Sequence, residues 1–328
     1  MILSRAPTRI TLGGGGTDLE SYYSSHGGFL IAAAVNRYCS VVACKRFYDS
    51  IRLSYSRTEI KDKVADIDHH IFKACMEFMG IDKGIELVSI ADVPAGCGLG
   101  TSSSFTVALL NALHAYKKDF VTQKQLAEEA CHIEIDRLKE PIGKQDQYMA
   151  AFGGLSCLTF EKNGEVIVEP LRISRELMDR LETSLLLFFT GKERSATEIL
   201  CEQDTKSKVG DQDMIENLHR IKEIGLETRK YLELGQVDVL GELLHVHWET
   251  KKKRSNKMTD PFIDECYEVA RKNGAEGGKL VGAGGGGFFM FYCNGNDKMK
   301  LIEAMIRMGL KWERVHFDFE GAKVLVNT

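Results

Sequence analysis

The stretch Pro94-Ala-Gly-Cys-Gly-Leu-Gly-Thr-Ser-Ser-Ser104 is a glycine loop that runs straight into helix-forming sequence. The first turn of a helix carries unpaired N–H groups and a partial positive charge of about half a unit, so it attracts a phosphate. Gly96, Gly98 and Gly100 remove side-chain bulk and let backbone N–H groups wrap phosphates. The hydroxyls of Thr101, Ser102 and Ser103 suit phosphate oxygens or Mg2+. A plain capped turn needs one glycine, not three. Neither standard nucleotide motif is matched. A Walker loop ends in Gly-Lys-Ser/Thr, and no lysine follows Gly100. A dinucleotide fingerprint, Gly-x-Gly-x-x-Gly, normally follows the first strand of its unit; here the third glycine comes one place early and behind several strands.

Two more glycine clusters, Gly13 to Gly16 and Gly282-Ala-Gly-Gly-Gly-Gly287, add to a total of 31 glycines against 5 prolines. Clustered without a period, they read as backbone that approaches something closely, not as a linker. Asp18 follows the first cluster. His245 and His247 are two apart and point to different sides of a helix, a poor metal pair. Cys97 sits inside the phosphate loop, and its reactivity depends on exposure.

The composition narrows the classes. With 43 Lys+Arg, 47 Asp+Glu and a net charge of −4, the chain has no basic footprint for nucleic acid. Its longest apolar runs, Phe29 to Val35 and Leu185 to Phe189, are far short of a membrane span. No secretory signal precedes Arg5. The nine cysteines are scattered with no Cys-x-x-Cys pair, so disulfides and zinc are not expected and a reduced, cytoplasmic setting is.

The elements that must position these groups follow from pattern. Strands are expected over 9–12, 29–35, 38–47, 51–55, 85–90, 155–160 and 165–171. Helices are expected over 68–79, from Thr101 to Tyr116, and from the capping pattern at Thr122 to about Leu138. After a strand at 184–190, mostly helical sequence runs from 196 to 273. A strand at 288–292, a helix at 298–308 and strands at 314–319 and 323–326 close the chain. Two α/β halves fit this order.

The motifs together resemble those of the GHMP kinases, the family of galactokinase, homoserine kinase, mevalonate kinase and phosphomevalonate kinase. Arg5-Ala-Pro-Thr-Arg-Ile-Thr-Leu-Gly-Gly-Gly-Gly-Thr-Asp18 resembles the family's first motif, Pro94 to Ser104 its second, and Gly278-Lys-Leu-Val-Gly-Ala-Gly-Gly-Gly-Gly-Phe288 its third. All three stand in family order and spacing. The resemblance implies an α/β (α+β) fold of two domains. The first, 1–175, is like the second domain of ribosomal protein S5; the second, 176–328, is ferredoxin-like. The site lies in the cleft between them. It implies ATP bound by Pro94, Gly96, Cys97, Gly98, Leu99, Gly100, Thr101, Ser102 and Ser103, with Mg2+ on Ser102 and Glu134. Asp146 matches the catalytic aspartate and Arg9 the cation beside it. A loose transition state relaxes the demand on a base. Asp146 is thus expected to orient the acceptor hydroxyl and take its proton late, while Arg9 holds the carboxylate.

Departures from the family pattern bear on the acceptor. Galactokinases carry Glu and His where this chain has Gly15 and Gly16, which opens room and argues against galactose. Gly15, Gly16, Thr17 and Asp18, with Lys144-Gln-Asp-Gln-Tyr148, Phe152-Gly-Gly-Leu155 and Gly277-Gly-Lys-Leu280, most resemble the kinases of D-glycero-D-manno-heptose 7-phosphate. Such enzymes phosphorylate the anomeric hydroxyl on the way to nucleotide-activated heptose. Asp18 suits sugar hydroxyls. For the distant phosphate the candidates are Lys192 and Arg194 in Thr190-Gly-Lys-Glu-Arg-Ser195, and Lys144, with Arg194 first for its bidentate geometry. Gly284, Gly285 and Gly286 are expected to close on the acceptor. The run Lys251-Lys-Lys-Arg254 is a further candidate for that phosphate, although a charge run at a helix end is usually a solvated face. The partner expected is a small-molecule sugar phosphate, with no nucleic acid and no membrane, and a homodimer as an open alternative. Three other readings remain: a different sugar 1-kinase such as fucokinase, a silent sugar or nucleotide sensor, and a dinucleotide-dependent oxidoreductase. The last is disfavoured by the loop spacing.

Overall fold

Long apolar and β-branched runs build the first sheet. β1 (Ile2–Gly13) and β2 (Gly28–Lys45) pair antiparallel, joined through the short helix α1 (Glu20–His26). The structure, a computed structural model, describes residues 1–192 and 196–328. β2 is buried at every residue from Gly28 to Val35, which explains a continuous apolar run there in place of an alternating one. The sequence suggests two strands in this region. The chain runs through as one, with the register slipping between Pro7 and Thr8 of β1 so that Asn36 and Arg37 bulge out.

The sheet continues through β3 (Ile51–Ser54), β4 (Thr58–Lys61) and β5 (Ile85–Ala91). β6 (Leu155–Phe160) pairs with the first half of β2, and β7 (Val166–Pro170) with β6. Four helices cover one side: α2 (His70–Met79), α3 (Thr101–Lys117), α4 (Gln123–Cys131) and α5 (Gln145–Phe152). α3 is buried from Ser103 to His114 because it is surrounded, with the sheet beneath it and α4 and α5 beside it.

α6 (Arg175–Ser184), capped by Ser174, feeds directly into β8 (Leu185–Phe189). Then come α7 (Ala196–Lys208), α8 (Gln212–Glu233), α9 (Val239–Lys252) and α10 (Pro261–Lys272). β9 (Gly277–Leu280), β10 (Phe288–Tyr292), α11 (Lys298–Arg307) and β11 (Lys311–Glu313) complete a second antiparallel sheet. Its order is β11-β8-β10-β9, the ferredoxin-like arrangement. The last strand, β12 (Lys323–Asn327), pairs with β1 at the edge of the first sheet. Residues 314–319, expected as a strand, supply only a single bridge from Phe317 to Val35. One buried apolar cluster joins the halves, running from Ile10, Leu12 and Ile31 through Cys97 and Leu99 to Leu187, Leu244 and Met290. Among the described residues no helix is long and apolar enough to cross a membrane.

Candidate active site

Arg9, midway along β1, reaches Asp146 in the first turn of α5. Its Nε donates to Asp146 Oδ1 at 2.7 Å and Nη2 lies 2.6 Å from the same oxygen, while Nη1 donates to the Gly98 carbonyl at 2.5 Å. The Arg9 backbone N–H donates to the Leu99 carbonyl at 2.9 Å. One guanidinium thus ties the carboxylate to the glycine loop. Arg9 is buried, whereas the Asp146 side chain keeps 21% exposure and opens onto the cleft.

Two cavities meet at this pair. One is lined by Gly96, Gly98, Gly100, Thr101, Ser102, Ser103 and Glu134, with Gly284 and Gly286 opposite. The other is lined by Thr11, Gly15, Gly16, Asp18 and Gln145 from the first half, and by Gln203, His247, Lys251, Arg254 and Lys279 from the second. Arg9, Ile142, Asp146, Leu200 and Gly282 face both. Asp146 is the one carboxylate among the described residues that lines both.

Glu134 lies where the helix expected to reach Leu138 changes character. α4 stops at Cys131, and His132–Arg137 continues as a wider π-helical turn, a device often found at functional positions. The carboxylate is buried. It accepts Gln147 Nε2 at 2.6 Å and the Ser102 hydroxyl at 3.4 Å. Burial pushes its pKa up to about 7, with the Asp146 charge adding to the rise and the amide of Gln147 opposing it. A buried carboxylate facing a hydroxyl across a phosphate-binding loop fits a hard divalent cation such as Mg2+. Among the described residues no group of three His, Cys, Asp or Glu side chains is placed to hold a metal ion.

The third glycine cluster packs directly on the loop from Gly96 to Gly100. A Cβ on Gly98 would lie 2.5 Å from the Val281 carbonyl oxygen, and one on Gly282 would lie 2.6 Å from the Gly98 Cα. Phe288 N–H donates to the Cys97 carbonyl at 3.1 Å, and Gly285 N–H to the Met258 carbonyl at 2.9 Å. The two backbones touch because neither carries a side chain. Gly282→Ala, at φ +73, is expected to cost about 2–4 kcal/mol in urea unfolding, from left-handed strain plus overpacking. It should also weaken nucleotide binding in a calorimetric titration; unchanged stability would count against this docking.

Several residues expected at the site lie elsewhere. Lys144 donates to the Gly164 carbonyl at 2.7 Å and sits over the Tyr23 ring, outside the acceptor cavity. Lys192 pairs with Asp260 at 2.6 Å. Arg194 falls outside the described residues. Thr17 is a staple, its hydroxyl donating to the Gly14 and Phe29 carbonyls. Cys97 and Leu99 point into the core, and Pro94 lines neither cavity.

Two of the cations in the second cavity come from the run Lys251-Lys-Lys-Arg254, which is buried at both ends instead of forming a solvated face. His247, Lys251 and Arg254 stand at i, i+4 and i+7 along α9 and its extension, all buried, while Lys253 between them is exposed. Lys279 of β9 joins them, its Nζ 3.3 Å from His247 Nδ1. Lys251 Nζ donates to the carbonyls of Leu280 at 3.0 Å and Gly282 at 2.6 Å. Burial and then the neighbouring cations hold Lys251, Lys279 and His247 well below their ordinary pKa values. Burial brings Arg254 down to about 10, with Asp18 opposing. Asp18, opposite, is itself pushed up by burial and by Asp146, and accepts the Gln145 N–H at 3.2 Å. Among the described residues none of the three basic side chains forms an ion pair. An anionic ligand would complete the group. The helical spacing of His247, Lys251 and Arg254 is the signal that marks this face; Lys279 and Gln145 lie in quoted motifs that assign them no role, and Gln203 lies in none.

The model of the GHMP kinases N terminal domain matches residues 66–154, and that of the GHMP kinases C terminal matches 228–309. The chain is 32% identical to D-glycero-alpha-D-manno-heptose 7-phosphate kinase of Campylobacter jejuni, over 98% of both chains. It is 29% identical to the bifunctional fucokinase/GDP-fucose pyrophosphorylase of Arabidopsis thaliana, over 72% of this chain and 22% of that one. Among solved structures it resembles a D-glycero-D-manno-heptose 1-phosphate kinase from Bacteroides thetaiotaomicron, with a TM-score of 0.82, 27% identity and 99% of both chains covered.

Proposed function

The chain belongs to the GHMP kinases, and from that premise we propose that it transfers phosphate from ATP, with Mg2+, to the anomeric hydroxyl of D-glycero-D-manno-heptose 7-phosphate. The product is the 1,7-bisphosphate, on a route to nucleotide-activated heptose. The coarser statement needs no proposal: this is a sugar kinase, a phosphotransferase with an alcohol acceptor. What supports a phosphorylated acceptor is the buried group Lys251, Arg254 and Lys279, which among the described residues forms no ion pair and opens on the same cavity as Asp146. A phosphate would supply that group with an anion; a neutral sugar such as fucose would not.

Each residue then has a task. The loop from Gly96 to Ser103 and the N-terminus of α3 hold the nucleotide phosphates. Glu134 and Ser102 would hold Mg2+, which neutralises charge on the transferring group when bound. Asp18 takes sugar hydroxyls. Arg9 occupies Asp146 Oδ1 with two N–H groups, leaving Oδ2 to orient the anomeric hydroxyl. The hydroxyl oxygen bonds to the γ-phosphorus as the bond to the β–γ bridging oxygen breaks; ADP leaves and the hydroxyl proton passes to Oδ2.

Coupled ADP release over a panel of heptose 7-phosphate, free heptose, fucose and galactose tests the reading, with the new phosphate located by NMR. Preference for a free hexose would remove it. In the same assay Lys144→Ala and Lys192→Ala should keep the acceptor KM within about twofold, as for substitutions away from a site.

A further inference from the structure

A second observation in the acceptor cavity extends this reading and rests on it. Gly16 stands at φ +100, and a Cβ built on it would lie 2.5 Å from Arg254 Nη1 and 3.3 Å from Gln203 Nε2. The room left by the missing side chain is therefore not free for a sugar; a guanidinium fills it. The surrounding backbone and amides hold that guanidinium. Nη2 donates to the Gly15 carbonyl at 3.1 Å, Nη1 to Gln203 Oε1 at 3.2 Å and Nε to Asn217 Oδ1 at 2.9 Å. Gln203 is in turn fixed by donating to the Gly16 carbonyl at 2.8 Å. These acceptors are all neutral. They orient the group without cancelling its charge, and they use three of its five N–H bonds.

We propose that Gly16 and Arg254 form one specificity device: position 16 carries no side chain so that Arg254, set by Gly15, Gln203 and Asn217, presents its two remaining N–H groups to the phosphate of the acceptor. The arrangement has the features of a built anion site. The fork is planar, pre-aimed and buried, so little rotamer freedom is lost on binding. Any side chain at position 16 displaces the fork from its acceptors. The cavity then loses its best-oriented phosphate ligand without any change at Asp146 or the nucleotide loop. Arg254 is a binding residue in this scheme; Gly16 and Gln203 are positioning residues.

A double-mutant cycle on the full chain tests the pair, with KM and kcat read by ADP release on heptose 7-phosphate. Arg254→Ala should raise the acceptor KM on the order of 10- to 100-fold, the range for a lost hydrogen bond to a charged group. The KM for ATP should not move. Gly16→Ala should reproduce most of that loss, and the double variant should be no worse than Arg254→Ala alone. Backbone strain at φ +100 would persist after the arginine is gone, so losses that add would overturn the pairing, as would a Gly16→Ala chain with wild-type KM. Gln203→Leu, which leaves the glycine backbone untouched, should raise the acceptor KM several-fold with kcat held; an unchanged KM would also overturn it. A wild-type chain that turns over free heptose as readily as heptose 7-phosphate would remove the sugar-phosphate reading and this device with it. That outcome is visible before any variant is made.

Discussion

Asp146→Asn should bind nucleotide as the wild type does and lose turnover by about 10^2- to 10^4-fold, the range for removing a positioned general base. The substitution keeps shape. An asparagine carbonyl can accept the two Arg9 bonds that Asp146 Oδ1 accepts at 2.7 and 2.6 Å, and Arg9 can keep its 2.5 Å bond to the Gly98 carbonyl. The glycine loop therefore stays in place. What changes is the atom facing the acceptor: an amide nitrogen offers a hydrogen and takes none. Calorimetric titration with a non-hydrolysable nucleotide and ADP release on the acceptor separate the two effects. Near-normal turnover would sink the assignment of Asp146.

Lys279→Met should make the protein more stable and the acceptor site worse. Lys279 is buried, shares its surroundings with Lys251 and Arg254, and among the described residues has only the His247 ring as a side-chain hydrogen-bond partner. Burial penalises the Lys279 ammonium, and an apolar chain of similar length removes that penalty. The pH dependence carries the sign. The folded pKa lies well below the unfolded value of about 10.4, so between the two the unfolded chain binds more protons. Wild-type stability should accordingly rise with pH from 7 toward 10, by up to about 1.4 kcal/mol per unit for each such lysine. Lys251 shares this behaviour, so the variant should show a shallower rise, not a flat one. Urea unfolding at pH 7 and pH 9 measures it. Heptose 7-phosphate should raise the melting temperature of the wild type much more than that of the variant. A destabilised variant with an unchanged acceptor KM would overturn the role given to the cationic group.

The parts of the site that could be read from sequence share one property: their meaning is local. The loop from Gly96 to Ser103 announces itself because glycines, hydroxyls and a helix start are adjacent in the chain. The cationic group is assembled differently. Lys251 and Arg254 stand in a run whose composition says solvent, and only their three-residue offset, with His247 four residues before, shows that they share a face. Lys279 arrives from a strand too rich in glycine to be recognised as one. Lys144 has the right chemistry for a phosphate but is taken up by the Gly164 carbonyl, a demand invisible until β6 and β7 fold. α5 escaped notice for a related reason. Its opening residues, Gln145 and Asp146, face the site, so the apolar periodicity that marks a helix is interrupted where the function lies.

The meeting of Gly98 with Gly282 bears on how such a chain can be recombined. The phosphate loop and its cover are encoded far apart, yet each excludes so much as a methyl group on the other. A hybrid that joined this N-terminal half to the C-terminal half of a relative would have to match two backbone paths, not a patch of side chains. Backbone paths cannot be repaired by a few surface substitutions. Acceptor preference can drift through Lys251, Arg254 and Lys279 within one half, while exchange of whole halves is limited to partners whose glycine loops already run in register.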